Sequence, residues 1–139
     1  MDWDAWAQRA EKALAFGGGA DWKELFAPGA VFSDPNTTTP TNDLKEIARD
    51  TRVIFPDWTQ EITTIRGGDR WAVFEWIGRA TYTPVAGNPG AGAPVEIHGA
   101  TIVEIDGDGL VTSWRDYLDR KEPEDQIRRH VKDGRAEAT

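Results

Sequence analysis

Four segments after residue 56 alternate apolar and polar residues with a period of two. They span residues 57–66, 70–83, 95–105 and 110–119. Such alternation is typical of β-strands that bury one face and expose the other. Gly67-Gly68-Asp69 separates the first two segments and Asp106–Gly109 the last two. Because both turns are short, the sequence predicts antiparallel neighbours in one sheet.

The chain before residue 57 has a mainly helical pattern instead. Apolar residues recur at helical spacing over 2–16, and a Gly17–Gly19 run ends that helix. The remaining predicted elements are a short helix over 21–26 stopped by Pro28-Gly29, a short strand over 30–35, a helix from 41 or 42 to 55, and a last helix with Pro123 in its first turn. Helices followed by a run of strands indicate a single α+β domain over 1–139, with a disordered tail from Asp133.

One carboxylate interrupts the apolar face of the last strand. Alternation puts Asp116 on the same face as Trp114 and Leu118. If that face is interior, Asp116 is desolvated unless it is paired, and a carboxyl group perturbed in this way is a candidate acid or base. The other interpretation is that Asp116 faces solvent or makes a structural salt bridge.

Composition excludes several classes of function. The 139 residues carry a net charge of −8 and no basic cluster, which argues against nucleic-acid binding. There is no Cys, and the two His residues are far apart, so no metal site or disulfide scaffold is expected. No apolar run approaches a membrane span, and no signal pattern opens the chain. We therefore expect a cytoplasmic protein that needs no cofactor and binds no membrane.

The run from Trp114 to Asp119 (WRDYLD), after a Gly-rich turn, resembles the last-strand motif of two related families. These are the limonene-epoxide hydrolases and the SnoaL-like polyketide cyclases, which share the nuclear-transport-factor-two-like (cystatin-like) fold with ketosteroid isomerase. The resemblance implies a cone-shaped, curved antiparallel sheet wrapped around N-terminal helices. It also implies a pocket in which Asp116 acts as the acid–base residue.

The run from Val31 to Pro35 (VFSDP) contains a second candidate acid. This run is similar to the short strand of ketosteroid isomerase, where an Asp before Pro moves the proton between carbons. The resemblance implies that role for Asp34. The alternative is that Asp34 caps the turn at Pro35, because Asp commonly accepts a hydrogen bond from its own following backbone.

The chain departs from both relatives in its other catalytic positions. Where the epoxide hydrolases carry an Arg and a second Asp, this sequence has Trp76 and Gly78. Where ketosteroid isomerase carries the Tyr and the protonated Asp that stabilise an enolate, it has Ala10 and Thr101. A neutral hydroxyl at Thr101 is a weaker oxyanion donor than that pair.

These observations predict a cofactor-independent SnoaL-like cyclase or isomerase acting by acid–base catalysis on a hydrophobic small molecule. Asp34 and Asp116 are its predicted catalytic residues. The predicted substrate-binding residues are Phe32, Phe74, Trp76, Thr101 and Trp114. Two alternatives remain open: an epoxide hydrolase with a rearranged site, and a non-catalytic small-molecule-binding or accessory protein.

The outward face of the predicted sheet suggests self-association. It carries Trp71, Val73, Ile77 and Ile102, which is unusually apolar for a solvated face. We expect a homodimer through this face, as is common in these families. On a regular strand His98 also points outward, and only a bulge at Gly99 would turn it inward.

Overall fold

The computed structural model describes residues 1–15, 22–36, 53–84 and 87–138. Its elements, in chain order, are α1 (Trp3–Leu14), α2 (Trp22–Leu25), β1 (Phe26–Ser33), β2 (Thr59–Gly67), β3 (Trp71–Thr81), β4 (Pro94–Ile105), β5 (Val111–Leu118) and α3 (Lys121–Ala138). The helix predicted from 41 or 42 to 55 lies mostly outside the described residues. The α+β fold is confirmed.

The five strands form one sheet in the order β1-β5-β4-β3-β2. The four strands predicted from alternation pair antiparallel, in sequence order, as expected. Thr101 lies at the centre of this arrangement, opposite Phe74 on β3 and Asp116 on β5. The sheet therefore places the three residues on adjacent strands at one level.

Strand β1 differs from the prediction in its length and in its pairing. It begins at Phe26 and runs through Pro28-Gly29, which the sequence predicted to precede it. It pairs with β5 in parallel, so the sheet is mixed rather than purely antiparallel. Proline is tolerated because β1 is an edge strand. The register shifts between Phe26 and Val31, around Gly29 with its φ of 78°.

Helix α1 packs its apolar stripe against the sheet. Its buried residues are Trp3, Trp6, Ala7, Ala10, Ala13 and Leu14. Two polar contacts fix its position: the Trp3 indole donates to the Gly68 carbonyl (2.8 Å), and Glu11 accepts from the Ile62 amide (2.7 Å). The Ile62 contact lies where β2 bulges, between Ile62 and Thr64, so the helix supplies an acceptor at the irregular point of an edge strand.

The inward faces predicted from alternation are buried. On β3 these residues are Ala72, Phe74 and Trp76, and on β4 they are Val95, Ile97, Thr101, Val103 and Ile105. Trp114 on β5 is also buried. The pairing of His98 with Ile77 and of Gly99 with Trp76 is regular, so no bulge occurs there and His98 stays on the outer face.

Helix α3 covers the part of β4 that extends beyond β5. Pairing of β4 with β5 begins at Gly99, which leaves the backbone of Glu96 and His98 without a strand partner on that side. Gln126 bonds both the amide and the carbonyl of Glu96 (2.7 Å each), and Glu122 accepts from the His98 amide (3.1 Å). These contacts hold α3 across the open end of the sheet.

Helix α3 also runs further than the sequence suggested. It continues to Ala138, across the tail that was predicted to be disordered. Four of the six residues from Asp133 to Ala138 are Arg, Glu or Ala, which have high helix propensity. Within the described residues, no helix is long and apolar enough to cross a membrane.

Candidate active site

Described side chains line a partly open cavity of about 500 Å³ between the sheet and the N-terminal end of α3. Its lining is mostly aromatic and aliphatic, with Asp116, Arg120 and Glu124 as its charged members. The full lining comprises Leu14, Phe32, Ile54, Phe55, Trp58, Gln60, Trp76, Tyr82, Ile97, Trp114, Asp116, Leu118, Arg120, Pro123, Glu124 and Ile127. An apolar cavity with a few polar groups is typical of a small-molecule site.

Two glycines on the inward face of the sheet shape the cavity wall. A Cβ atom at Gly78 would lie 2.0 Å from Trp58, and one at Gly99 would lie 2.3 Å from Trp76. Both indoles therefore rest directly on the sheet backbone, in space that a larger residue would occupy. The two rings meet edge to face, with centroids 6.1 Å apart. Gly78 and Gly99 thus determine where this aromatic wall lies.

A chain of hydrogen bonds ends on Asp116. The Trp76 indole donates to the Thr101 hydroxyl oxygen (2.8 Å), and that hydroxyl donates to Oδ1 of Asp116 (2.6 Å). The Trp114 indole donates to the same oxygen (2.7 Å). No described residue donates to Oδ2. One carboxylate oxygen is therefore held by two donors while the other is left for a ligand in the cavity.

The environment of Asp116 favours its neutral form. The side chain is surrounded by protein and reached by solvent only in part, because it opens onto the cavity. Burial raises the pKa of Asp116 from 3.8 to about 6, against the lowering effect of the hydrogen bonds from Thr101 and Trp114. The negative charge of Asp34 raises it further. A carboxyl group with this pKa exchanges protons readily near neutral pH.

Asp34 lies beside Asp116 but does not line the cavity. The parallel register pairs Ser33 with Arg115, so Asp34 follows on the neighbouring strand at the level of Asp116. Its Oδ1 accepts the Asn36 amide (2.7 Å), and its Oδ2 accepts Nη2 of Arg120 (3.0 Å). The structure thus brings the two predicted acids together, yet it gives them different partners.

The five predicted substrate-binding residues divide into two groups. Phe32, Trp76 and Trp114 line the cavity. Phe74 is buried in the core, where its ring packs against Trp114 at 5.4 Å between centroids. Thr101 is fully buried behind the wall and contacts Asp116 rather than the cavity.

The sequence interpretation missed several residues of the site. Arg120 was not singled out, because it follows the end of the last strand. The alternation that assigns strand residues to a face does not extend to that position. Trp58 and Tyr82 were also missed. The signal for Trp58 was Gly78, since a glycine on an inward-facing strand position often leaves room for a large neighbour.

His98 lies outside this site. Its Nδ1 contacts Glu122 and its Nε2 is 3.7 Å from Glu96, on the outer surface. Across the described ranges, no three His, Asp or Glu side chains are grouped as a metal site would require.

The fold has many relatives among solved structures. IdmH from Streptomyces antibioticus, a candidate polyketide cyclase, superposes with a TM-score of 0.77 at 21% identity, covering 91% of this chain and 99% of its own. A candidate polyketide cyclase from Acidithiobacillus ferrooxidans gives 0.74 at 23% identity, with 91% and 94% covered. AclR from Streptomyces galilaeus, a candidate hydroxylase, gives 0.73 at 15% identity, with 89% and 83% covered. At these identities the likeness concerns the fold.

Sequence comparison supplies the family. No curated protein matches the chain. A family model described as a SnoaL-like domain matches residues 6–114, which contain every strand from β1 to β4 and the first half of β5. The matched segment includes Asp34, Trp76, Thr101 and Trp114, and it ends two residues before Asp116. With most of the chain matched and the fold in agreement, the protein belongs to the SnoaL-like family.

Proposed function

We propose that the protein is an acid–base enzyme of the cyclase or isomerase type that acts on an apolar, enolisable carbonyl compound. The observation that carries this proposal is the Asp116 carboxyl group. Its Oδ1 is fixed by Thr101 and Trp114, its Oδ2 has no donor among the described residues, and the residue lines an aromatic cavity. The pKa of about 6 lets the same group accept a proton and return it.

The reaction begins with proton transfer to Asp116. Oδ2 of the ionised carboxylate takes the proton from the carbon next to the carbonyl group. The C–H electron pair becomes the C=C bond of the enolate, and the carbonyl π pair moves to oxygen. In an isomerisation the proton returns to another carbon. In a ring closure the enolate carbon attacks a second carbonyl carbon, and the new alkoxide takes the proton from Asp116.

Two features of the site support this assignment. The cavity of about 500 Å³ is walled largely by aromatic rings, which suit an apolar ligand. The positions that carry the Arg and second Asp of the epoxide hydrolases hold Trp76 and Gly78, and the Trp76 indole is committed to Thr101. Nothing at these two positions favours epoxide opening.

The proposal can be tested without the natural substrate. The methyl protons of 2-acetonaphthone, an enolisable aromatic ketone, exchange with deuterium when a base removes them. We expect the wild-type protein to accelerate this exchange in D2O, measured by proton NMR, by roughly 10²–10⁴-fold. Asp116→Asn should abolish the acceleration, because the amide keeps the shape and accepts the same hydrogen bonds but cannot take a proton.

Asp125→Asn is the matched control. Asp125 lies on α3, pairs with Arg128 (3.0 Å) and does not line the cavity. This variant should therefore accelerate deuterium exchange of the methyl protons as much as the wild type does. Wild-type exchange at the buffer rate would refute the acid–base assignment. It would favour the other interpretation of the cavity, a binding site without catalysis.

A further inference from the structure

Proton removal by Asp116 leaves a negative charge on the carbonyl oxygen, and that charge needs a donor in the cavity. Thr101 cannot serve, because its hydroxyl is fully buried and already donates to Asp116. Each indole N–H group near the site also has an acceptor. The Trp76 indole donates to Thr101, and the Trp114 indole donates to Asp116. The Trp58 indole donates to Gln60. The obvious neutral donors near the carboxylate are therefore already in use.

The remaining neutral donors lie on distant strands. Gln60 is on β2, three strands away from β5, which corresponds to roughly 14 Å across the sheet. Tyr82 follows β3 and packs against Phe55, two strands from β5. Arg120 instead follows β5 directly, four residues after Asp116, and it is the single cationic side chain among the described cavity-lining residues.

Asp34 fixes the orientation of the Arg120 side chain. Its Nη2 donates to Oδ2 of Asp34 at 3.0 Å, and Asp34 is itself fixed by the Asn36 amide. A guanidinium group has five N–H donors in a rigid fork. No other described residue accepts from Arg120, which lines the cavity and whose side chain is 58% exposed, so its remaining donors are available at the cavity mouth. Both oxygens of Asp34 are engaged, which leaves it poorly placed to move a proton.

We propose that Arg120 binds the carbonyl oxygen of the ligand and stabilises the enolate, and that Asp34 is a positioning residue for Arg120 rather than a second acid. This inference rests on the proposed function of Asp116. It assigns the site to a ligand whose carbonyl group sits at the mouth, near Arg120, while its apolar body lies against the aromatic wall. The two acids thereby have separate duties, although they lie side by side.

The first test follows the carbonyl group itself. 2-Acetonaphthone labelled with ¹³C at the carbonyl should show a downfield shift of that resonance on binding, because a charged donor polarises the C=O bond. Arg120→Gln should remove the shift and slow deuterium exchange by roughly 10²–10³-fold, the usual cost of a lost oxyanion donor. Arg120→Lys, which keeps the charge, should restore part of both.

Arg128→Gln is the matched control. Arg128 lies on α3, its side chain is 71% exposed, and it pairs with Asp125 away from the cavity. This variant should show the wild-type carbonyl shift. A shift that persists in Arg120→Gln, or a wild-type protein that produces no shift up to the solubility limit of the ketone, would overturn the assignment of Arg120.

Asp34→Asn separates the two roles of that residue. If Asp34 positions Arg120, the variant should retain part of the exchange activity and show a smaller, broader carbonyl shift. A second catalytic acid would instead make Asp34→Asn as inactive as Asp116→Asn, with the carbonyl shift unchanged, and that result would refute the positioning role.

The two proposals fail in different ways. If Asp116 is not the base, the wild-type protein gives no exchange, yet the carbonyl shift and its dependence on Arg120 are still measurable. If Arg120 is not the donor, deuterium exchange still depends on Asp116, but the carbonyl shift is the same in Arg120→Gln as in the wild type.

Discussion

Replacing Asp116 with Asn should stabilise the protein, although Asp116 accepts two hydrogen bonds. Asn keeps an oxygen that can accept from both Thr101 and Trp114. What it removes is the need to ionise a carboxyl group that is surrounded by protein. The expected gain is a consequence of the raised pKa and depends on pH in a calculable way.

The magnitude follows from the linkage between proton binding and folding. The pKa of Asp116 rises from 3.8 in the unfolded chain to about 6 in the folded protein. The folded state therefore holds the proton more tightly, and stability falls as pH rises through this interval. The ionisation penalty is about 1 kcal/mol near pH 4.5, reaches about 3 kcal/mol by about pH 8, and is constant above that. Asp116→Asn avoids this penalty.

Urea unfolding, followed by tryptophan fluorescence, measures the difference directly. The free energy of unfolding of Asp116→Asn minus that of the wild type should grow by about 2 kcal/mol between about pH 4.5 and about pH 8. Asp108→Asn, in the exposed turn before β5, provides the baseline for removing one surface carboxylate. The pH dependence is a cleaner measure than the absolute difference, since packing changes in the variant cancel.

A difference that stays flat with pH would show that Asp116 is not desolvated, and the acid–base assignment would lose its physical basis. A variant that is less stable than the wild type throughout would show that the carboxylate charge stabilises the fold. Either result contradicts the reasoning.

Three further predictions concern the wall of the site, its hydrogen-bond network and the outer surface. Gly99→Ala should lower the free energy of unfolding by roughly 1–3 kcal/mol in urea unfolding, because its Cβ would overlap Trp76 at 2.3 Å. Thr101→Val should raise the pKa of Asp116 above its wild-type value in a ¹³C carboxyl titration, because it removes a hydrogen bond to the charged form. Trp71, 50% exposed on the outer face, should support a homodimer in light scattering, and Trp71→Glu should yield a monomer.

Each of these predictions has a control elsewhere in the chain. Gly134→Ala on α3 meets no atom within 4 Å and should not destabilise the fold. Thr112→Val removes an exposed hydroxyl bonded to the Glu104 carbonyl (3.2 Å) and should leave the Asp116 titration unchanged. Val53→Glu, at a 64% exposed position outside the sheet, should not alter the oligomeric state. A monomeric wild type would refute the dimer.

Most of the sheet was predictable from the sequence, because a strand that buries one face must alternate with a period of two. Alternation correctly assigned Phe74, Trp76, Val103 and Trp114 to the interior. It also exposed the anomaly at Asp116, since a carboxylate at an inward position has few explanations. Asp116 and the lining residues Trp76 and Trp114 were therefore within reach of local reasoning, whereas Phe32 was named from the family resemblance.

The pairing of β1 with β5 was not predictable, and the separate roles of the two acids depend on it. Pro28-Gly29 has the local pattern of a turn, and only its place at the sheet edge allows a strand there. The parallel register that puts Asp34 beside Asp116 joins segments about 80 residues apart. Such a register is decided by which strand edge is left free, and no short window of sequence contains that information.

Arg120 shows the same division between local and tertiary determinants. The sequence by itself determined an α+β chain with a carboxylate on the inner face of its last strand. Tertiary structure decided that Arg120 and Asp34 meet across 86 positions of sequence at the cavity mouth. Alternation along a strand is a local property of the chain, whereas a pair between a strand end and a distant turn exists only after the sheet and α3 have assembled around the cavity.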